Sequence, residues 1–320
     1  MQGIVRISRM CYNGENFFKG NFFMDKHTVN KAKLQCFSSM FLFGTIGLFV
    51  RGIALPSAVI ALVRGVIGTA FLAAVMAARR KAVDFSAVRR NLPLLTVSGA
   101  AIGINWILLF EAYRYTTVAA ATVCYYLAPV FVILASPLLL GERITRKKGI
   151  CAAVSLAGVV LVSGIFSGNT ETSASNGLGI LCGVAAAVFY ASVVLLNKKI
   201  NGLTAPERTV FQLGLAAAVL LPYVLCTGGI GDIASLSAKG LLLLLIVSVV
   251  HTGMTYVMYF GSIGHLPVQT AALLSYIDPV VAVLLSALVL HESLTLTGIL
   301  GAALVLGSTM ISEGAFGRQG

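Results

Sequence analysis

Charge is what this chain has least of. Only 11% of its 320 residues are Asp, Glu, Lys or Arg, whereas a soluble globular chain carries about a quarter. That shortage argues against a water-soluble enzyme. Acid is scarcer than base: 11 Asp+Glu against 23 Lys+Arg leave a net charge of +12. In a soluble protein this balance would point to nucleic acid. In a membrane chain it reads as a basic cytoplasmic face, so no nucleic-acid partner is expected. Cysteine is sparse, with six residues and no CxxC or metal-ligand spacing. No disulfide framework and no metal site are therefore expected, and the cysteines read as small buried hydrophobes. The four histidines build no HExxH or HxxxxD, and GxSxG and Walker loops are also missing. No catalytic residue, cofactor or direct use of ATP is expected, and the chain reads as no enzyme. No cleavable secretory signal is evident, because the first apolar run begins near Leu34 and is long enough to span.

What is abundant is apolar sequence, 58% of the residues at a mean hydropathy of +0.93. A membrane helix needs about 20 such residues. Ten stretches qualify, at roughly 35–52, 57–78, 92–112, 117–139, 148–165, 177–196, 208–227, 239–260, 267–289 and 296–312. The fold class is an all-α integral membrane protein. Residues 1–34 form a polar, basic cytoplasmic tail; Met24 offers an alternative start, and the first 23 residues are expected to be dispensable. Loops are short, the longer ones lying at 77–90, 166–177 and 197–208. With the N-terminus inside, nineteen basic residues fall in cytoplasmic segments and two, Arg114 and Lys239, outside. This bias predicts ten spans with both ends in the cytoplasm.

The chain also repeats itself. Segment 118–145 matches 268–295 at a constant offset of 150, pairing Tyr126/Tyr276, Pro129/Pro279, Ser136/Ser286, Glu142/Glu292 and Thr145/Thr295. Upstream the offset holds at Ser98/Ser248, Gly103/Gly253 and Phe110/Phe260. Two repeats result, 35–165 and 176–312, each of five spans. An odd number inverts the second half in the membrane, which is the plan of secondary transporters.

The tracts ALVRG at 61–65, TVAAATVCYYLAPVFVILASPLLLGERIT at 117–145 and VQTAALLSYIDPVVAVLLSALVLHESLT at 268–295 resemble the drug/metabolite transporter superfamily, specifically EamA-type ten-helix permeases with two EamA domains. The resemblance covers about residues 36–312 and implies export of metabolites, amino acids or related small molecules. It fixes no substrate.

Candidate residues follow from the cost of polarity in lipid. Asp278, just before Pro279, is an intramembrane carboxylate, and a charge at the bilayer centre costs roughly 3 kcal/mol or more. It reads as a seat for a substrate cation, a coupling proton or the partner of Arg64, which lies mid-span two. Arg51, near the end of span one, reads as snorkelling to the interface. Ser248, His251, Thr252, Thr255 and Tyr259 recur at helical spacing on one face of span eight, so they face protein or water; Asn105, beside Trp106, is a weaker match in span three. His251 is a candidate proton relay. Tyr126 and Tyr276 are candidate aromatic walls. Pro129 and Pro279 are expected to kink their helices beside a cavity, and Glu142 and Glu292 to serve turn architecture at the start of the following helix. Gly99, Gly103, Gly149, Gly158, Gly298 and Gly307 read as close-packing points.

The expectation is an alternating-access transporter in the cell membrane, exporting a small polar metabolite such as an amino acid. An uptake permease or a broad drug exporter is the alternative, with an intramembrane enzyme or scaffold further off. Expected partners are a small-molecule substrate and the lipid bilayer; proton coupling and a homodimer stay open.

Overall fold

A computed structural model describes residues 26–78, 83–140, 144–162, 173–227, 231–263, 265–266 and 274–312. Glu142, the tail before Lys26, the basic cluster at Arg79, Arg80 and Lys81, and the loop at 166–172 lie outside the described residues. Among those described there is helix and no strand. In chain order the helices are α1 (Lys26–Arg51), α2 (Ser57–Ala78), α3 (Phe85–Tyr115), α4 (Val118–Tyr125), α5 (Ala128–Leu140), α6 (Arg146–Val162), α7 (Ser173–Asn197), α8 (Ala205–Cys226), the single turn α9 (Gly231–Ala234), α10 (Ala238–Ser248), a π-helical turn (Val249–Met254), α11 (Thr255–Ile263), α12 (Ile277–Leu288) and α13 (Leu296–Ser312). Seven are long and apolar enough to cross a membrane, counting α4 with the start of α5, and α10 with its continuation, as one each. Ile277–Leu288 and Leu296–Ile311 are shorter apolar helices.

Local sequence explains several ends. Asp84 caps α3 by accepting from the Ser86 and Ala87 amides, so half of the expected loop at 77–90 is the first turns of a helix. Thr204 and Glu207 form a capping box at the start of α8, with Pro206 in its first turn. That start lies inside the expected loop at 197–208.

Helices of the two halves pack in exchanged pairs. α3 of the first half packs on α7 of the second, and the corresponding pair, α11 on α1, is also in contact; α4 and α5 on α7 are mirrored by α12 on α1; α3 on α8 is mirrored by the π turn on α2. The contacts α2 with α8 and α6 with α13 each pair a helix with its own counterpart, and α4 packs on α12, the counterpart of α5. A two-fold exchange of halves is therefore built into the packing.

Small residues set the closest approaches. A methyl on Gly158 would sit 2.7 Å from the Gly301 carbonyl oxygen where α6 crosses α13, and one on Gly99 would sit 2.8 Å from the Gln212 carbonyl where α3 crosses α8. Gly103 packs on Leu220 in the same way. Gly307 meets nothing and Gly298 only the Thr295 hydroxyl, so those two are not packing points; Gly301, which the repeat did not flag, is one. The bundle's exterior is apolar: Leu138, Leu181, Leu288 and Leu296 are exposed. In lipid this is the solvated surface.

Candidate functional site

Both repeats interrupt a helix immediately before the matched proline. α4 ends at Tyr125 and α5 begins at Ala128, one residue before Pro129. In the second half a turn at Tyr276 precedes α12, whose third residue is Pro279. The expected kinks are thus breaks, and each carries the matched tyrosine. A proline frees the carbonyl four residues earlier, which for Pro279 is that of Ser275. The Tyr126 hydroxyl shares its one proton between that carbonyl, at 3.0 Å, and Asp278 Oδ2, at 2.9 Å. One break therefore satisfies the other. Asp278 lies in the first turn of α12, where an acid complements the helix dipole. A methyl on Gly44 of α1 would sit 2.5 Å from the Asp278 backbone oxygen. The tyrosine rings gather around this point, with Tyr126–Tyr276 centroids 6.0 Å apart and Tyr125–Tyr190 centroids 5.4 Å apart.

Arg64 occupies a second seat. It is 4% exposed, on α2, with its guanidinium carbon 4.2 Å from the Trp106 ring centroid and 5.6 Å from that of Phe110. Its Nε donates to Thr252 Oγ1 at 2.5 Å. Arg64 and Asp278 do not form an ion pair; the ion pairs among the described residues are Arg51–Glu292 and Arg114–Glu111.

The polar stripe of span eight takes a different form from the even helical face expected. A π turn at Val249–Met254 inserts an extra residue, the kind of local widening often found at functional sites. His251, Thr252 and Thr255 side chains each reach the carbonyl five residues back, on Ile246, Val247 and Val250. The widening turns His251 to α1, where Nε2 meets Thr45 Oγ1 at 2.8 Å and the ring packs on Phe49. It turns Thr252 to α2 and Arg64. Ser248 bonds its own helix at Leu244. Asn105 donates to the Ala186 carbonyl at 2.6 Å, tying α3 to α7. So Asp278, Tyr126 and Tyr276 come together; Arg64, Thr252 and His251 form a neighbouring buried group; Ser248, Thr255 and Asn105 serve backbone.

The Glu292 expectation is corrected. Glu292 does not stay in its own turn, where Thr295 instead caps the Gly298 amide. Its carboxylate accepts from Arg51, from the Ser286 hydroxyl and, at 3.0 Å, from the Val118 amide at the start of α4. Arg51 also donates to the carbonyls of Tyr113 and Thr116, each at 2.7 Å. A buried carboxylate takes donors wherever they are, and the first amides of α4 have no partner within their own helix. Neither Thr45 nor this cross-half bridge had a signal in the sequence, since both depend on helix rotation. Arg114 pairs with Glu111, three residues before it on the same helix, at 3.2 Å. Cys36, Cys124 and Cys151 are buried and free, and no group of metal ligands occurs among the described residues.

The model of the EamA-like transporter family matches residues 30–164 and again 177–313. The chain belongs to the EamA-like transporter family. Its two matches coincide with the two halves whose helices pack in exchange, and it is a multi-pass membrane transporter. Among curated relatives of this EamA protein, an uncharacterized transporter of Archaeoglobus fulgidus is 32% identical over 86% of this chain and 93% of its own, and one of Bacillus subtilis is 30% identical over 79% and 80%. A pseudopaline exporter of Pseudomonas aeruginosa is 30% identical over 59% of this chain and 63% of its own. A crystal structure at 21% identity shares the fold, with a TM-score of 0.59 over 88% of this chain and 96% of that one.

Proposed function

We propose that the protein is a ten-span, alternating-access exporter of a small zwitterionic metabolite, an amino acid or a close relative, with both termini cytoplasmic. The observation that carries this reading is the separation of Arg64 from Asp278. An arginine and an aspartate sit in an apolar bundle and do not pair with each other. Either charge is costly to leave alone in a membrane. A ligand carrying an ammonium and a carboxylate offers each the partner it lacks. The ammonium would meet Asp278 among Tyr126, Tyr276 and Tyr125, a carboxylate-plus-aromatic seat suited to a cation. The carboxylate would meet Arg64.

The paired helix breaks support this assignment, because discontinuous helices mark the midplane sites of secondary transporters. The nineteen-to-two distribution of basic residues supports the orientation. Export is supported by the pseudopaline exporter among the relatives.

The test is binding to the purified protein of an amino acid panel, alongside the matching amines and carboxylic acids that each lack one charge. The zwitterions should bind best. Asp278→Asn should remove the preference for the ammonium and Arg64→Gln the preference for the carboxylate. Equal binding of all three classes would overturn the reading. Loss of pH-driven flux in Asp278→Asn with exchange intact would assign Asp278 a coupling proton instead.

A further inference from the structure

Beyond the two charged seats, a polar junction between the halves gathers around Glu292. It ties four places together: the end of α1 through Arg51, the end of α3 through the Tyr113 and Thr116 carbonyls that Arg51 holds, the start of α4 through the Val118 amide, and the end of α12 through Ser286. α4 and α12 are the two half-helices that run from the paired breaks to this end of the bundle, and they pack on each other. The Glu292 side chain is 8% exposed and that of Arg51 30%. Arg51 also lines a cavity of about 390 Å³ with Ile53, Leu55, Ser57, Tyr113 and Arg114, so one partner of the bridge is buried while the other has space to leave it.

We propose that the Arg51–Glu292 bridge is the lock that closes one face of the transporter over the Asp278 site, and that α12 transmits the state of that site to it. On the orientation taken above, which this inference adopts, the locked face is the outer one. Asp278, Ala282 and Ser286 recur every four residues along α12, one face of that helix; Ala282 and Ser286 are buried. The first bears the carboxylate seat and the last donates to Glu292. A shift or rotation of α12 that follows ligand binding at Asp278 therefore moves the Ser286 hydroxyl relative to Glu292 and the Val118 amide. The lock also makes a sharp two-state element. A carboxylate that shallowly buried is stable with all three donors or in water, and poor in between. Opening takes Arg51 into the cavity beside it and separates the ends of α4 and α12, which uncovers the face of α12 that leads down to Asp278.

The lock can be read without knowing the substrate. In a background lacking native cysteines, a single cysteine at Ala282 is exposed to a charged, membrane-impermeant methanethiosulfonate on intact cells and on inside-out vesicles. A second reporter, at the exposed Ala54 between α1 and α2, shows which face of the membrane carries this end of the bundle. With the lock intact Ala282 should react slowly. Glu292→Gln should speed its reaction tenfold or more from the face where Ala54 reacts, and Ser286→Ala, which keeps both charges, should speed it severalfold. Should Glu292→Gln fail to insert, Arg51→Lys and Ser286→Ala decide the matter. Unchanged reaction of Ala282 in the inserted variants would overturn the lock. Reaction of Ala54 only in inside-out vesicles would overturn the orientation alone, because the acceleration at Ala282 would then appear from that same face.

Discussion

Arg64 and Asp278 are both charges inside an apolar bundle, and the molecule seats them in opposite ways. Arg64 comes from an unbroken helix and is wrapped by aromatic faces, with Thr252 brought to it by a widened turn in another helix. Asp278 sits where a helix starts, held by one tyrosine from the other half, with the chain broken on both sides of the contact. The first seat is made by packing, the second by exposed backbone. A guanidinium stays charged whatever surrounds it and spreads its charge over a flat face, so aromatic walls suit it. A carboxylate needs donors, and helix starts and phenols supply them.

That contrast can be broken by experiment. The largest effect is expected from Asp278→Asn, which removes the ammonium's counter-charge: about 2 kcal/mol, or roughly thirtyfold in Kd for a zwitterion. Titration calorimetry on the purified variant reads it, and the matching carboxylic acid without an amine should lose little. Arg64→Gln should show the reverse selectivity with a similar loss, so that swapping zwitterion for amine restores parity between variant and parent. The combination of Arg64→Leu with Asp278→Leu sharpens the comparison further. If the two charges neutralised each other, the double variant would recover folded protein; since no ion pair joins them, the losses should add within about 0.5 kcal/mol in thermal melts. Tyr126→Phe removes the hydroxyl shared by Asp278 and the Ser275 carbonyl, and about 1 kcal/mol of binding, near fivefold, should go with it. The smallest change concerns the packed side. Thr45→Val should cost about 1 kcal/mol of stability, because it strips His251 of its Thr45 partner, and leave Kd unmoved. A loss of binding there instead would draw His251 into the substrate site.

Much of this architecture is legible before any coordinates. The match of Tyr126, Pro129 and Glu142 to Tyr276, Pro279 and Glu292 at one offset already announces two copies of one unit, and the family matches fall on those copies. Proline in mid-span of both copies, at Pro129 and Pro279, marks where the backbone is disturbed, because the carbonyl each one frees cannot be hidden in lipid. Asp278 is legible for the same energetic reason. Three things were not. The π turn in span eight is invisible to periodicity, since one inserted residue leaves the composition of the stripe unchanged while rotating His251 and Thr252 onto different neighbours. Glu292 looks like its mate Glu142 and like ordinary turn chemistry; its partners Arg51 and Val118 are 241 and 174 residues away. Gly301 became a contact point while Gly307 did not, although both are glycines of one helix.

The sequence by itself determined the membrane class, the repeat and the two matched prolines that disturb the backbone mid-span. All of these follow from transfer energies and from the backbone's need for hydrogen bonds, which act residue by residue. Only the tertiary structure decided which charge meets which partner. Arg64 could have joined Asp278, and Glu292 could have stayed in its turn. Helix rotation and crossing, set by where small residues let backbones approach, placed the two central charges in separate seats and drew Arg51 to Glu292.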